Sequence, residues 1–349
     1  MSRHHRVVAW VLFLTLAPFS ALAQAPGREG SRSEAEEREI LVEKLKRDIT
    51  KVTRAIEVTE ELIARSRGAP YLPDIYLRLA ELYVEQSRYE FYLVNEDKEE
   101  GGAAVAPTAR LLKEKAIETY RRIMDEFPRW EDNDKVLFYL AHELRELGEY
   151  DRMIATYETL AREHPKSELV LDAYVVLGDY RFDKADLDGA EVWYRKILDA
   201  PRSPTHDLAH FKMGWIELNR TRFRRAFNHF EAAVRSPWAL PGEGRDEDRR
   251  LDVKREALAD LAYTYTEVKA PQHALRYFRR LAPSRNLYVL ALDKLANRYF
   301  VKEDYVASAR IYRELARLSH DPVENLNRTS QVYRAVVQSK AFGRVDQDV

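Results

Sequence analysis

The chain has 349 residues, of which 45% are hydrophobic and 33% are charged, a composition typical of soluble globular or helical-repeat proteins. Lysine and arginine number 57 against 58 aspartate and glutamate residues, so the formal net charge is −1 and the basic footprint of a nucleic-acid-binding protein is absent. There is no cysteine, which excludes disulfides, thiolate metal sites and a thioether-linked lipid anchor.

Residues 1–23 predict a Sec-type signal peptide. Residues 3–6 make a basic start, residues 7–19 form an apolar run, and residues 21–23 are a small-x-small ending. The apolar run is short for a membrane span, which favours a cleaved signal over an anchor. We therefore expect cleavage after Ala23 and a mature protein free in the periplasm, with secretion as the alternative.

A long helix is predicted after a flexible leader. The leader covers residues 24–33, and residues 34–67 predict one amphipathic helix. Within it, seven residues recur at alternating steps of three and four, as in the a/d seam of a coiled coil: Val42, Leu45, Ile49, Val52, Ile56, Thr59 and Ile63. Two interpretations remain open. The seam forms a homo-oligomer through residues 42–63, or the helix packs on the first helical repeat of its own chain.

Residues 73–128 predict a pair of amphipathic helices separated by an insertion. The first helix carries Tyr76, Leu79 and Ala80, and its partner arrives about 24 residues late, with Ala116 and Tyr120 before a proline. The inserted residues 87–113 can prolong both helices around an acidic, glycine-containing loop. They predict a projecting arm, either a partner contact or an ornament without function.

Between residues 135 and 235 one pattern of about 36 residues occurs three times. A small residue stands at the same place in each copy, at Ala141, Gly178 and Gly214, with steps of 37 and 36 residues. Apolar residues three or four apart in both halves of each copy predict two helices joined by a tight turn. The small residue lets the two helices approach closely, and the fixed period indicates a solenoid of copied helix pairs.

The remaining third of the chain continues the pattern after an interruption. Residues 236–253, which contain prolines and glycines, predict a loop. Residues 254–322 then predict two further helix pairs, with Ala262 and Ala296 in the place of the small residue. Residues 323–349 predict one capping helix and a polar tail.

The order of a large residue, Leu-Gly or Leu-Ala, Tyr or Leu, then Ala, an aromatic residue, Ala and Pro resembles the tetratricopeptide repeat. The resemblance implies an all-α, right-handed α-solenoid of about six helix-turn-helix repeats with flanking helices. The Pro165-Lys166-Ser167 junction is similar to repeat borders of exported Gram-negative cell-envelope proteins of this family. Such repeats are scaffolds that differ in what they bind, so the family implies the fold more than the function.

No catalytic motif supports an enzyme. His142-Glu143 lacks the second histidine of the zinc-protease spacing, and neither a phosphate-binding glycine-rich loop nor a Gly-x-Ser-x-Gly motif occurs. We therefore expect no catalytic residues, no cofactor and no metal site.

The resemblance places a candidate peptide groove along the first helices of the repeats. Ten residues, many of them one helical turn apart, are its candidate lining: Phe138, His142, Arg145, Asp179, Phe182, Phe211, Trp215, Asn219, Tyr263 and Asn297. Exposed aromatic side chains in a concavity suggest a bound peptide, whereas the alternative is that several of them pack between repeats.

The family's clamp for chaperone tails needs Lys or Arg and Asn one turn apart in successive first helices. The equivalent places here are filled by other residues, namely Phe138 and His142, Val175 and Asp179, and Phe211 and Trp215. We therefore expect an extended or helical apolar ligand rather than a free C-terminal carboxylate.

The resemblance implies a non-catalytic periplasmic scaffold or adaptor. It would mediate protein–protein interactions in a cell-envelope complex for outer-membrane assembly, division, motility or secretion. Its partner would be a protein or peptide of the envelope and not a nucleic acid. The alternative is a periplasmic chaperone-like module that binds unfolded outer-membrane polypeptides.

Overall fold

The computed structural model describes residues 34–96, 106–201, 203, 205–236, 247–319 and 321–339. In these residues the protein is all-α, without a strand, which confirms the expected α-solenoid. A short 3-10 helix (Pro271–His273) precedes α11. The helices are α1 (Glu34–Arg65), α2 (Leu72–Glu96), α3 (Pro107–Glu126), α4 (Asn133–Glu146), α5 (Tyr150–Glu163), α6 (Val170–Asp183), α7 (Leu187–Asp199), α8 (Thr205–Asn219), α9 (Phe223–Arg235), α10 (Glu247–Val268), α11 (Ala274–Leu281), α12 (Arg285–Val301), α13 (Tyr305–Leu318) and α14 (Pro322–Ser339).

Helices α2–α3, α4–α5, α6–α7, α8–α9 and α12–α13 pack as pairs, and each pair closes over one small residue. The short helix α11 packs on α12, and α10 packs mainly on α9 and α12. An aromatic ring on the second helix stands 16 residues after it in five pairs: Ala141 and Tyr157, Gly178 and Tyr194, Gly214 and Phe230, Ala262 and Phe278, Ala296 and Tyr312. In the first pair Ala80 and Tyr120 are 40 residues apart, and the difference of 24 is the length of the insertion. Both members of each couple are buried, so they form the centre of each pair.

The two glycines of this series are required by close approach. A Cβ atom added at Gly178 would lie 2.6 Å from Cε1 of Tyr194, and one at Gly214 would lie 2.5 Å from Cε1 of Phe230. Both rings are fully buried and surrounded by other core side chains. The helices therefore cross at a distance that only hydrogen permits.

The turns inside four pairs share one backbone geometry. The second residue after the first helix has a positive φ in each of them, at Gly148 (77°), Ala185 (59°), Thr221 (58°) and Glu303 (64°). Its N–H donates to the carbonyl three residues back and the next N–H donates to the carbonyl five back, as in Gly148 to Arg145 and Glu149 to Leu144, both 2.9 Å. This is the Schellman motif, which satisfies carbonyls at the helix end.

The N-terminal seam packs inside the chain. Val52 and Ile56 are buried against α2, and the polar contacts of α1 with α2 run antiparallel: Gln86 Nε2 donates to Thr53 Oγ1 at 3.1 Å, and Arg38 donates to the carbonyl of Glu96. This register favours the second interpretation of the seam. An oligomer through residues 42–63 would have to use other faces of α1.

The prediction of a projecting arm at residues 87–113 is corrected in part by the structure. Its helical parts exist, because α2 continues to Glu96 and α3 begins at Pro107. However, the extension of α2 does not project alone, since the Arg38 contact shows that α1 runs beside it to its end. The sequence did not reveal that α1 packs along the extension of α2, which is possible because both helices are longer than a repeat helix. The tip of the arm, residues 97–105, lies outside the described residues.

Two boundaries near the C-terminus also differ from expectation. Helix α10 begins at Glu247, inside the predicted loop 236–253, because no glycine or proline follows Gly244 in that segment. The predicted capping helix is α14, and it leaves Val323, Leu326 and Tyr333 more than 60% exposed. The signal peptide, the leader and the end of the tail fall outside the described residues.

We predict that Gly178→Ala destabilises the protein by about 1–3 kcal/mol, because the added methyl group overlaps the ring of Tyr194. That ring cannot turn away without breaking the hydrogen bond from its hydroxyl to Asp179. Urea unfolding followed by circular dichroism measures the change. An unchanged midpoint would show that the helices do not cross at this distance.

A reciprocal pair of variants tests the strained turn. Thr221 is a β-branched residue at φ 58°, so Thr221→Gly should raise the free energy of unfolding by about 0.5–1 kcal/mol. Gly148→Ala should lower it by about 1 kcal/mol, and only through the backbone, since no atom lies within 4 Å of the added Cβ. Urea midpoints that move in the same direction for both variants would contradict this reading of the turns.

Candidate functional site

The first helices of successive pairs lie side by side and form the surface that we call the A-helix face, made by α4, α6, α8, α10 and α12. Nine of the ten predicted groove residues are placed on α4, α6, α8 and α10, and Asn297 lies on α12. Neighbouring pairs contact each other directly through their first helices, since α6 contacts α8 and α8 contacts α10. The described structure therefore brings the predicted residues to one surface, as a row rather than a cluster.

The aromatic members of the row pack on the rings at the centre of their own pairs. Phe138 meets Tyr157 edge-on with ring centroids 5.6 Å apart. Phe211 lies 5.9 Å from Phe230, and Trp215 meets the same ring edge-on at 6.5 Å. All three predicted residues are half-buried. Their first role is to extend the core, as the alternative interpretation of these aromatics held.

Polar members of the row connect one A helix to the next. Asp179 on α6 accepts a hydrogen bond from the Tyr194 hydroxyl. Its Oδ1 also forms an ion pair with Nζ of Lys212 on α8, at 2.9 Å. On α12, the guanidinium carbon of Arg298 lies 4.2 Å from the ring centroid of Tyr263 on α10. These bridges set the spacing between repeats, which sequence periodicity alone does not show.

Trp215 makes a third bridge, to Asp260 on α10, by donating its indole N–H. Burial, and after it the neighbouring carboxylate of Glu256, raise the pKa of the Asp260 carboxyl to about 7, although the Trp215 hydrogen bond and the charge of Lys294 act in the opposite direction. A carboxyl group with this pKa is half protonated near neutral pH. Asp260 was not among the predicted site residues, because burial of an aspartate is invisible in the sequence.

The other predicted residues are divided between packing and solvent. Phe182 packs against the core around Tyr194. Arg145, Asn219 and Asn297 are exposed, although the Asn219 amide donates to the Trp215 carbonyl at 2.9 Å. A ligand-binding role for the ten residues remains a prediction.

His142 stands beside a buried acid. Its Nδ1 lies 3.2 Å from Oε1 of Glu143, whose side chain is 4% exposed and whose other oxygen is 3.4 Å from Lys113 on α3. Burial alone would raise the pKa of Glu143, but the hydrogen bond from His142 and the charge of Lys113 outweigh it and lower the pKa. The ion pair of Glu143 with Lys113 therefore ties α4 to α3.

Two histidines on α8 and α9 face each other. Nδ1 of His210 lies 3.1 Å from Nδ1 of His229, and burial lowers the pKa of His229. Two imidazoles alone do not make a metal site, and no group of three or more metal-binding side chains occurs among the described residues.

A groove in the described surface lies at the C-terminal end, between α10, α12, α13 and α14. It has a volume of about 710 Å³. Leu287, Val289, Leu290 and Tyr312 contribute apolar surface to it, and its polar lining comes from Arg255, Asn286, Asp293, Glu324, Asn327, Arg328 and Gln331. We call it the C-terminal groove. Sequence reasoning treated α14 only as a cap, although its amide residues Asn327 and Gln331, one turn apart, were a signal for a binding surface.

Comparison with protein-family models adds an independent observation. Residues 135–167 match the model of the tetratricopeptide repeat. This part of the chain is therefore similar to one tetratricopeptide repeat. The match covers the first of the three copies recognised in the sequence, and the remaining pairs repeat its small-residue and ring positions.

Several solved tetratricopeptide-repeat structures are similar to this one. The C-terminal part of a TPR repeat-containing protein from Cytophaga hutchinsonii shares 17% identity over 84% of this chain and 99% of its own, with a TM-score of 0.47. A tetratricopeptide repeat protein from Parabacteroides merdae shares 17% over 85% and 99%, with a TM-score of 0.41. Yeast Tom70 shares 14% over 92% and 68%, with a TM-score of 0.40. Comparison with curated proteins found no match.

Among the described residues, no helix has the length and apolar character needed to span a membrane.

Asp260 makes stability depend on pH in a definite direction. The pKa of its carboxyl is about 7 in the folded state and 3.8 for an ordinary aspartate, so between these pH values the folded state binds a proton that the unfolded state has lost. Stability is therefore lost as the pH rises through this window. We predict that Asp260→Asn leaves stability at pH 5 nearly unchanged and raises it at pH 8 by at least about 1 kcal/mol.

Thermal melts at both pH values measure the effect. Asp293→Asn removes an exposed carboxylate from α12 and serves as the matched control, for which we expect no such difference. An Asp260→Asn variant that loses stability at pH 8 would contradict the raised pKa.

Proposed function

We propose that this protein is an exported, non-catalytic adaptor of the cell envelope, and that it binds a polypeptide partner in the C-terminal groove. The observation that carries the proposal is the groove itself, because it combines size, an apolar surface and a polar lining in one place. The tetratricopeptide-repeat fold supports a protein-interaction scaffold. The envelope and the partner are parts of the proposal.

The apolar lining suits a side chain of a partner. Leu287, Val289 and Leu290 are half-buried and flank Tyr312, which is buried. Covering such partly exposed apolar surface releases water and favours binding. This chemistry agrees with the expected extended or helical apolar ligand.

The polar lining suits the backbone of a partner. Asn286 and Asn327 are exposed amides that can donate to and accept from peptide groups of a ligand. Arg328 is better fixed, since its guanidinium pairs with Glu324 and donates to the Leu315 carbonyl at 2.8 Å. These contacts anchor α14 to α13, so the groove is held open in a defined shape before the partner arrives.

Export is supported by residues 1–23, whose basic start, apolar run and small-x-small ending are typical of a signal peptide. We expect the mature protein to begin at Gln24 and to be recovered in the periplasmic fraction. N-terminal sequencing of the protein from fractionated cells tests this directly. A mature protein that begins at Met1 in the cytoplasm would exclude the proposed location without affecting the proposed groove.

In-cell photo-crosslinking tests the adaptor. A photoreactive amino acid replaces Asn327 in the groove, and the control replaces Glu158, an exposed residue on α5 that is remote in the chain from both proposed surfaces. We expect position 327 to capture one envelope protein and position 158 to capture none. Position 215 tests whether the originally predicted groove also contacts the partner.

Two outcomes would overturn the adaptor. Capture of many unrelated outer-membrane precursors at position 327 would favour the chaperone-like alternative. Equal capture at positions 327 and 158 would show that the C-terminal groove is not the binding surface.

A further inference from the structure

We propose a second interaction surface, a basic hollow that binds an acidic segment of a protein partner. The hollow has a volume of about 400 Å³ and is lined by the start of α9 and the end of α10, at Arg222, Phe223, Arg224, Arg225, Glu267 and Val268. It is distinct from the C-terminal groove, because Arg255 and Glu267, which line the two sites, are about 18 Å apart along α10. It therefore goes beyond the proposed function.

The turn from α8 to α9 builds the first side of the hollow. Thr221, with its positive φ, reverses the chain between two arginines and sends them to different environments. The side chain of Arg220 is 15% exposed and pairs with Glu217, Glu191 and Asp188. Arg222 begins the outer side and is half exposed.

The buried acid at this turn is shared among too many cations to neutralise them. The Glu217 side chain is 3% exposed and lies 3.2 Å from Arg220, 3.4 Å from Arg222 and 4.0 Å from Arg225. Arg224 adds another exposed guanidinium. Because Arg220 also pairs with Glu191 and Asp188, Glu217 is left to Arg222 and Arg225, and together with Arg224 they give the outer side of the turn a surplus of positive charge.

The acid on the second side of the hollow is already paired. Glu267 on α10 lies 3.0 Å from Arg298 and 3.0 Å from Lys302, both on or directly after α12. Burial would raise its pKa, but the hydrogen bonds from Lys302 and Arg298 lower it. Glu267 is therefore a paired anion and does not compete for the arginines of α9.

These features point to the chemistry of the occupant. Guanidinium groups bind carboxylates through paired, charge-assisted hydrogen bonds, and the half-buried Phe223 and Val268 add apolar surface between them. An acidic peptide segment with an apolar residue satisfies both. A nucleic acid fits less well, because the positive charge is confined to one hollow and the chain has a formal net charge of −1.

Fluorescence anisotropy tests the hollow with a defined probe, a fluorescein-labelled Glu-Glu-Leu-Glu-Glu peptide. We expect saturable binding that weakens as the salt is raised from about 50 to about 300 mM, since screening reduces charge attraction. Arg224→Ala/Arg225→Ala should raise the dissociation constant about tenfold or more. Arg224→Lys/Arg225→Lys keeps the charge and should retain most of the binding.

The matched control is Arg276→Ala/Arg280→Ala, which removes the same charge from exposed positions on α11 and should change binding less than about twofold. Circular dichroism melts verify folding, and Arg224→Gln replaces the double variant if that variant does not fold. The inference is overturned if the peptide does not bind, if the control loses as much as the hollow variant, or if an oligothymidine competes as well as the acidic peptide.

Discussion

The structure depends on one repeated contact, in which a small residue on the first helix of a pair faces an aromatic ring on the second. At Gly178 and Gly214 the ring lies so close that a methyl group does not fit. The contact sets how near the two helices come, and the rest of each pair follows from it. It also explains the rigid spacing of 16 residues, because the turn between the helices cannot lengthen without moving the ring away from its small partner. The first pair accommodates its insertion with two longer helices, because α2 continues to Glu96 and α3 begins at Pro107.

The contacts between pairs are of a different kind, and they decide what the A-helix face can do. Asp179, Trp215 and Tyr263 bridge neighbouring first helices through an ion pair, a hydrogen bond and a cation–π contact. Residues that look like ligand contacts in the sequence are thus partly used to set the spacing of the solenoid. The two surfaces proposed for binding are the C-terminal groove, where α14 has no second helix among the described residues, and the basic hollow, where Arg222 and Arg225 share Glu217.

The end helices of the described solenoid, α1 and α14, pack differently. At the N-terminus α1 covers α2 along its whole extension, with its seam residues directed into the chain. At the C-terminus α14 packs on α13 and leaves apolar residues such as Leu326 exposed. Helices α1 and α14 are both amphipathic, yet the apolar face of α1 is covered and part of that of α14 is exposed. The difference depends on whether a neighbouring helix of sufficient length covers the face.

Local pattern was sufficient to predict the helices, their pairing, the small residues and the family, because each of these depends on residues less than about 40 positions apart that recur at a fixed period. It also placed the turns, since the pattern breaks there. Tertiary structure alone decided the rest. The partner of the 42–63 seam, the raised pKa of Asp260, the bridging roles of Trp215 and Tyr263, and both binding surfaces depend on which helices become neighbours and how far they are apart. The helical period of the sequence predicts which residues share one face of a helix. Burial, charge balance and cavity shape depend instead on how the faces of two or more helices pack together.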